Sequence, residues 1–369
     1  MDPTPTPAPG HALRNITYAV LLVLMIGFML VIGQGIIIPI LIALISVYII
    51  GALDKVLADW KGTSWAPAWI RRLILILGFV GLLTGFTSLI IVTVQQLMQQ
   101  APSYQANLEG LVREVTRMLG FQNVPDWPTI YDQTIGRISL PSIIGGAASQ
   151  LSSVGGMIFL TIIYVSFLFA EKARFGEKLL VAFPDRERAE KTMDIVSKVN
   201  TRIGQYLGTK TLINVILGVI SYLIMLAFGL DYAPFWALLI GVLNYIPYIG
   251  SIVALLLPVG LSIVQFASLP MTLGLYAGLQ LAQIAVGNFL EPSMVGRRVN
   301  LSAFYVLVAL AFWGAIWGIV GAILAVPLTS MLVIIFNEIP ALRPVAIMMS
   351  DNLDEFEAKP RKPLWRRKR

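Results

Sequence analysis

The chain has no cysteine and a single histidine, His11, set in a proline-rich terminus. The first absence removes disulfides, zinc thiolate sites and cysteine nucleophiles. The second removes the His-Glu-x-x-His zinc motif, histidine-based triads and histidine metal cages. No metal or other cofactor is expected. Charge is scarce as well: 13% of the 369 residues are Asp, Glu, Lys or Arg, against roughly 25% in soluble domains. No charged residue occurs between Arg14 and Asp54, Arg72 and Glu109, Arg137 and Glu171, Asp231 and Glu291, or Arg298 and Glu338. Each stretch exceeds the ~20 apolar residues that cross a hydrocarbon layer about 30 Å thick. A soluble core helix needs a polar face toward water, and these stretches have none. What the chain does have is apolar surface: 57% of residues are hydrophobic and the mean hydropathy is +0.79. The fold class that follows is an all-α integral membrane protein whose main partner is the lipid bilayer. The net charge of +7 fits basic cytoplasmic loops, and no nucleic-acid partner is expected.

Residues 1–15, with Pro3, Pro5, Pro7 and Pro9, form a disordered N-terminal tail. Residues 16–94 hold transmembrane helices 1 to 3, at about 16–33, 34–50 and 73–94, with a polar connector at 53–72. The first apolar run is too long for a cleaved signal peptide. Residues 95–150 form a small extracytoplasmic helical module. Within it Tyr104, Leu108, Leu111, Val112, Val115 and Leu119 recur at helical spacing after Pro102. Residues 151–170 are transmembrane helix 4. Residues 171–210 are a cytoplasmic amphipathic segment with an apolar stripe of Ile195, Val199, Ile203 and Tyr206. Residues 211–340 form the core, and residues 341–369 a basic cytoplasmic tail.

Basic loops set the orientation. The N-terminus lies inside, the 53–72 connector inside, and the lysine-free 95–150 module outside. The 171–210 segment, with nine basic residues against six acids, lies inside. Beyond helix 5, at about 211–230, two apolar runs are too long for one simple helix. Residues 232–266 are broken by Asn244, Pro247 and Gly250, and residues 303–336 by Gly314, Gly318 and Gly321. If each run crosses once, Arg297 and Arg298 fall outside. If each is a re-entrant hairpin, Arg297, Arg298 and the tail all lie inside. The hairpin arrangement satisfies every basic loop and is preferred. It gives about six spanning helices plus two broken or re-entrant hairpins, a multi-pass protein of the plasma membrane with both termini cytoplasmic.

An internal repeat supports the hairpins. The block from Ala233-Pro234-Phe235-Trp236 to Pro258 parallels the block from Ser302-Ala303-Phe304-Tyr305 to Pro327. A long helix precedes each, with Thr-Leu at Thr211 and Thr272. Units of opposite orientation whose broken helices meet inside the bilayer are a transporter pattern.

Several of these residues also match a known family. Asn244-Tyr245-Ile246-Pro247-Tyr248-Ile249-Gly250 resembles the Asn-x-Ile-Pro-x-Ile-Gly motif of the autoinducer-2 exporter family. The same holds for Gln283, Asn288, Glu291-Pro292 and Gly296, and for Trp317-Gly318-Ile319-Val320-Gly321 leading to Ala325-Val326-Pro327-Leu328. The order of elements matches over about residues 15–340. Many members carry His-Pro where this chain has Ser302-Ala303, which resembles the quorum-sensing transport subgroup. The resemblance implies a multipass exporter or permease that works as a homo-oligomer. It leaves a small polar solute or an autoinducer-2-like signal as cargo, with cation/proton antiport as the alternative.

The candidate pathway residues are Asn244, Tyr245, Pro247, Tyr248, Gly250, Gln280, Gln283, Asn288 and Glu291. Pro247 breaks the helix and Gly250 permits a tight turn. Backbone groups freed at such a break must lie in protein or line a wet cavity. Asn244 either caps a half-helix or meets a solute. Tyr245 and Tyr248 either flank a path or sit at the interface. Gln280, Gln283, Asn288 and Glu291 share one face of helix 7, at about 271–290. They either bond between helices or face water. Glu291 either binds a proton or cation, or pairs with Arg297 or Arg298. Gly314, Gly318 and Gly321 serve packing or hairpin turning. An enzyme is not expected, since no His, Cys or Asp lies within a span. The Gly204–Thr211 segment only mimics a phosphate loop: its glycine spacing is wrong and no strand precedes it. A membrane scaffold built on residues 95–150 remains the further alternative.

Overall fold

A computed structural model describes residues 9–59, 65–118, 140–183, 185–295 and 300–353. Every regular element among them is helical. In chain order these are α1 (Pro9–Ile32), α2 (Gln34–Asp59), α3 (Ala68–Met118), α4 (Leu140–Ala182), α5 (Arg186–Phe228), α6 (Ala233–Leu243), α7 (Ile249–Phe266) and α8 (Leu269–Ile284). A π-helical turn (Ala285–Leu290) follows, then α9 (Glu291–Val295), α10 (Ala303–Glu338) and α11 (Arg343–Met349). Six helices among the described residues are long and apolar enough to cross a membrane, or seven when the bent α4 is included. The all-α membrane architecture is the one that the composition demands.

The outer surface shows why water is not the solvent. Leu22, Val23, Met25 and Ile32 on α1 are more than half exposed, and so are Ile74, Leu77 and Leu82 on α3. The interior instead takes small polar groups, among them Ser46, Thr93, Thr161, Ser221 and Ser330. Several of these hydroxyls donate back to the carbonyl four residues earlier, as Ser46 does to Ile42 and Thr161 to Met157. They are thereby satisfied without any contact to water.

Two ends of the molecule are defined by their contacts. At a basic end, Asp54 accepts from Arg71 Nε at 2.9 Å and from Arg72 Nε at 3.0 Å, tying α2 to α3. The Arg72 guanidinium lies over the Phe169 ring of α4. At the opposite end, α5 stops at Gly229, whose φ of 70° permits the left-handed cap. α1 passes into α2 through Gly33, whose N–H bonds the Met29 carbonyl at 2.8 Å and whose carbonyl accepts from the Ile37 N–H at 2.9 Å.

Both long apolar runs near the C-terminus fold back on themselves. In the first, α6 leaves the Asp231 end and α7 returns to it. The Asp231 N–H donates to Gln265 Oε1 at 2.8 Å, and Gln265 Nε2 donates to the Gly229 carbonyl at 2.8 Å. With 11 residues, α6 is only about 16 Å long, too short to span. In the second, α10 breaks at Trp317 and Gly318, where Gly318 has φ 60°. Trp313 Nε1 then donates to Thr329 Oγ1 at 3.1 Å across the two arms. A straight helix would hold residues sixteen apart at about 24 Å. This hairpin opens at the basic end, where Lys198 meets Glu338 at 3.1 Å, and its tip reaches α1, where Trp317 Nε1 donates to the Leu30 carbonyl. The two hairpins therefore enter from opposite ends.

The long helices before them are antiparallel. A Cβ on Gly274 would meet Phe228, one on Gly278 would meet Ile224, and Lys210 meets Glu291. Helix plus hairpin thus occurs twice in opposite directions, which is the geometry of an inverted repeat.

Some element bounds differ from the sequence expectation. The helix expected at 73–94 and the amphipathic stretch beyond it form one 51-residue helix, α3, with Pro102 inside. A proline removes one donor, and the surrounding Gln, Leu, Met and Ala residues favour helix enough to continue. The helix expected at 151–170 runs on as α4 and bends by 65° after Lys172. The segment expected at 171–210 is divided: residues 171–182 end α4, and residues 186–210 share α5 with helix 5. Arg297, Arg298 and Gly296 lie outside the described residues, as does most of the tail at 341–369.

Candidate functional site

The tip of the first hairpin gathers polar side chains from three elements inside the fold. Asn244 ends α6, and its N–H still bonds the Ile240 carbonyl at 3.0 Å. Pro247 then prevents the helix from continuing. Its carbonyl accepts from the Ile249 N–H at 2.7 Å around Tyr248, whose φ is 62° and ψ −62°. This is a γ-turn in its rarer, strained form. Gly250 closes the turn: a Cβ there would overlap the Leu243 carbonyl oxygen. Gly321 repeats the device in the second hairpin against the Trp313 carbonyl oxygen, so two of the three expected glycines act in turning. Gly314 has Ala322 at 4.0 Å and makes an ordinary packing contact.

Three amides run through the tip. Gln283 Nε2 on α8 donates to Asn244 Oδ1 at 3.0 Å, and Asn244 Nδ2 donates to Asn214 Oδ1 on α5 at 2.8 Å. Asn214 Nδ2 ends the series as a buried donor without a partner among the described residues. Beside it, the Thr211 and Tyr245 hydroxyls share a hydrogen bond of 2.6 Å. One helical turn closer to the basic end, Lys210 Nζ meets Glu291 Oε1 at 2.5 Å. The lysine side chain is 4% exposed and the glutamate 31%. Tyr206 is buried within electrostatic reach of Glu291 and Tyr245. The tract therefore joins α5, the hairpin tip and α8 in one layer. A cavity of about 480 Å³ lies alongside, between α3, α5 and α6. Thr211, Asn214 and Tyr245 lie at its polar end and Leu82, Val219 and Leu238 on its apolar walls.

Of the expected pathway residues, the structure gathers Asn244, Tyr245, Gln283 and Glu291, with Pro247 and Gly250 shaping the turn. Gln280 is half-buried and Asn288 exposed, and among the described residues neither bonds to the tip. Gln280 lies on α8 before the π-helical turn at Ala285–Leu290, and Asn288 lies within it, so a spacing of 100° per residue does not fix the bearing of Asn288. Tyr248 points outward, 53% exposed. Glu291 takes Lys210 as its partner. Lys210, Thr211 and Asn214 are additions from α5. Lys210 opens one uncharged stretch and Glu291 closes the next, but only the antiparallel alignment of the helices brings the two level.

A broken hairpin with satisfied polar groups at its tip, repeated in inverted form, is transporter geometry. The model of the AI-2E transporter family matches residues 18–341. The chain belongs to the AI-2E transporter family. It is similar to AI-2 transport protein TqsA of Escherichia coli, 28% identical over 336 residues, covering 89% of this chain and 95% of that protein. A Haemophilus influenzae protein named only for transport is 29% identical over 328 residues, covering 87% of this chain and 92% of its own length. A Borreliella burgdorferi protein named in the same way is 31% identical over 258 residues, 70% of each chain. This family member is a multi-pass, permease-like membrane transporter.

Proposed function

We propose that the protein is a secondary transporter or facilitator that exports a small polar solute or signalling molecule, autoinducer-2-like in class, across the plasma membrane. The amide series Gln283–Asn244–Asn214 carries this reading. It offers neutral donors and acceptors among apolar helices, and Asn214 Nδ2 has no acceptor among the described residues. Such groups bind an uncharged hydroxyl- or carbonyl-rich solute by exchange of hydrogen bonds. The name of the Escherichia coli relative, at 28% identity, supports a signalling cargo of that kind. Basic flanks support a cytoplasmic position for both termini. The wholly lipid-exposed faces of α1 and α3 leave room for assembly with further copies of the chain.

Solute flux from proteoliposomes tests the reading. Asn244→Leu with Gln283→Leu keeps the volume and removes the amides. Flux of a neutral polyol or furanose probe then falls at least tenfold while the protein stays monodisperse. Unchanged flux rejects the pathway. Wild-type protein that moves no member of a solute panel favours the scaffold alternative.

The Lys210–Glu291 pair supports a second reading, coupling of transport to a proton or cation. Glu291→Gln distinguishes them. Facilitated flux persists in that variant without a gradient, whereas antiport is lost together with its pH dependence.

A further inference from the structure

The cavity between α3, α5 and α6 is a slot rather than a round chamber. Its lining follows α5 from Thr211 to Tyr222, a rise of about 16 Å. Leu82, Val215 and Val219 border it and are each more than half exposed, so it opens on the face that lipid covers. Gly218 and Gly241 also border it and have no side chain to fill it. A Cβ on either would stand 3.2 Å from a carbonyl oxygen of the facing helix. No charged residue contributes to the lining among the described residues.

The polar end of the slot asks for an acceptor. Thr211 Oγ1 donates to the Leu207 carbonyl at 2.7 Å, so Tyr245 is the donor in the 2.6 Å bond between the two hydroxyls. Both hydroxyl protons are thereby used. Asn244 meets only the Oδ1 of Asn214. Asn214, 4% exposed, keeps Nδ2 as a buried donor without an acceptor among the described residues. Such a donor is costly until it is paired. With no charge in the walls, a neutral carbonyl is the acceptor that suits it.

The direction of the slot matches that of a lipid. Residues 211–230 of the chain carry no charge between Lys210 and Asp231. They correspond to about 30 Å of helix, the thickness of the hydrocarbon layer. Asn214 lies about 6 Å inside the basic edge of this layer, just below the headgroups. From there the slot runs inward for about 16 Å, the depth of one leaflet, which is roughly 15 Å. We propose that the slot holds one acyl chain of a neutral amphiphile drawn sideways from the leaflet at the basic end. Its ester carbonyl accepts from Asn214 Nδ2, and its chain lies between α5 and α6 against Val215, Val219 and Leu238. Export through the amide series is not required for this, since Val219 has no part in that series.

The test uses the full-length protein in phosphatidylcholine vesicles. A monoacylglycerol with a diazirine at mid-chain is photolysed, and the sites of insertion are mapped by peptide mass spectrometry. Insertion is expected to concentrate on residues 215–222 and 234–242 and to be displaced by unlabelled monoolein. Val219→Trp fills the slot from an exposed position that the fold does not depend on, and is expected to lower that insertion about tenfold. An ether-linked probe lacks the carbonyl and is expected to compete about tenfold less well in the wild-type protein. Asn214→Leu then brings the ester and ether probes level. Insertion spread over α1 and α3 in proportion to exposure overturns the proposal, because it marks lipid that merely surrounds the protein. So does insertion that survives Val219→Trp, or equal competition by the ester and ether probes in the wild type. A disulfide between copies through Val219→Cys, formed at the expense of the probe, overturns it in favour of a second copy of the chain as the occupant.

Discussion

Gly250 and Gly321 sit where a chain reverses inside a membrane, each pressed on a carbonyl oxygen seven or eight residues earlier. Neither position has room for a methyl group, and the obstacle is backbone, which cannot rotate aside. Gly250→Ala and Gly321→Ala are therefore each expected to destabilise by ~3 kcal/mol, the upper range for overpacking a tight site. Gly260→Ala is the matched control: it lies within α7 with open space around it, and gains up to about 1 kcal/mol of helix propensity. Thermal unfolding in detergent separates the three, and equal Tm values for all would show that the turns are not set by these contacts. Lys210 and Glu291 pose a different question, because a buried charge is costly once its partner is lost. Glu291→Gln alone should cost about 3 kcal/mol, and adding Lys210→Met should recover most of it. A double-mutant cycle that returns no coupling would mean that the two side chains are solvated separately.

At the scale of elements, α3 runs past its apolar part to the mouth of the first hairpin. There it places Tyr104, whose hydroxyl donates to Asp231 Oδ2 at 2.9 Å, and Asn107, whose Nδ2 donates to the Gln265 carbonyl at 3.3 Å. Both contacts fall at the mouth of the hairpin, so α3 latches the loop that α6 must move with. Tyr104→Phe removes a hydrogen bond to a charged group, worth ~1.5–3 kcal/mol. Amide exchange across residues 229–235 should then rise about tenfold or more, the factor equivalent to 1.4 kcal/mol, with no change in α2. An unaltered exchange pattern would sink the latch. The legibility of these elements in the sequence follows their physics. Asn244, Pro247 and Gly250 announced a break because proline and glycine act locally. Charge-free runs announced the membrane because lipid tolerates little else. The 51-residue length of α3 was hidden, since one proline costs a single hydrogen bond and neighbouring propensity decides whether the helix survives it. Asn214 and Lys210 were hidden as partners, because which polar groups meet depends on how antiparallel helices align. The phase of Asn288 was lost for a related reason: Pro292 follows a π-helical turn, and a 3.6-residue period does not describe that turn.

For the whole molecule, the two hairpins make one arrangement from opposite directions. Ile246, at the tip of the first, packs in the same cluster as Leu310, Trp313 and Leu328 of the second, so the tips pass each other within the membrane layer. A solute that crosses this layer meets a short helical arm from either side, each closed by a glycine turn. This picture depends on where each end faces, and the absence of native cysteine makes that directly measurable. Ser268→Cys lies at the Asp231 end, next to the exposed Leu269. Lys191→Cys and Met348→Cys lie on exposed positions at the basic end. A membrane-impermeant maleimide added to intact cells is expected to label Ser268→Cys alone, with the other two reacting only after permeabilisation. Because α10 leaves from and returns to the same end, Lys191→Cys and Met348→Cys must behave alike. Labelling of one but not the other from outside would mean that the second run crosses the bilayer, and the inverted repeat would fall with it.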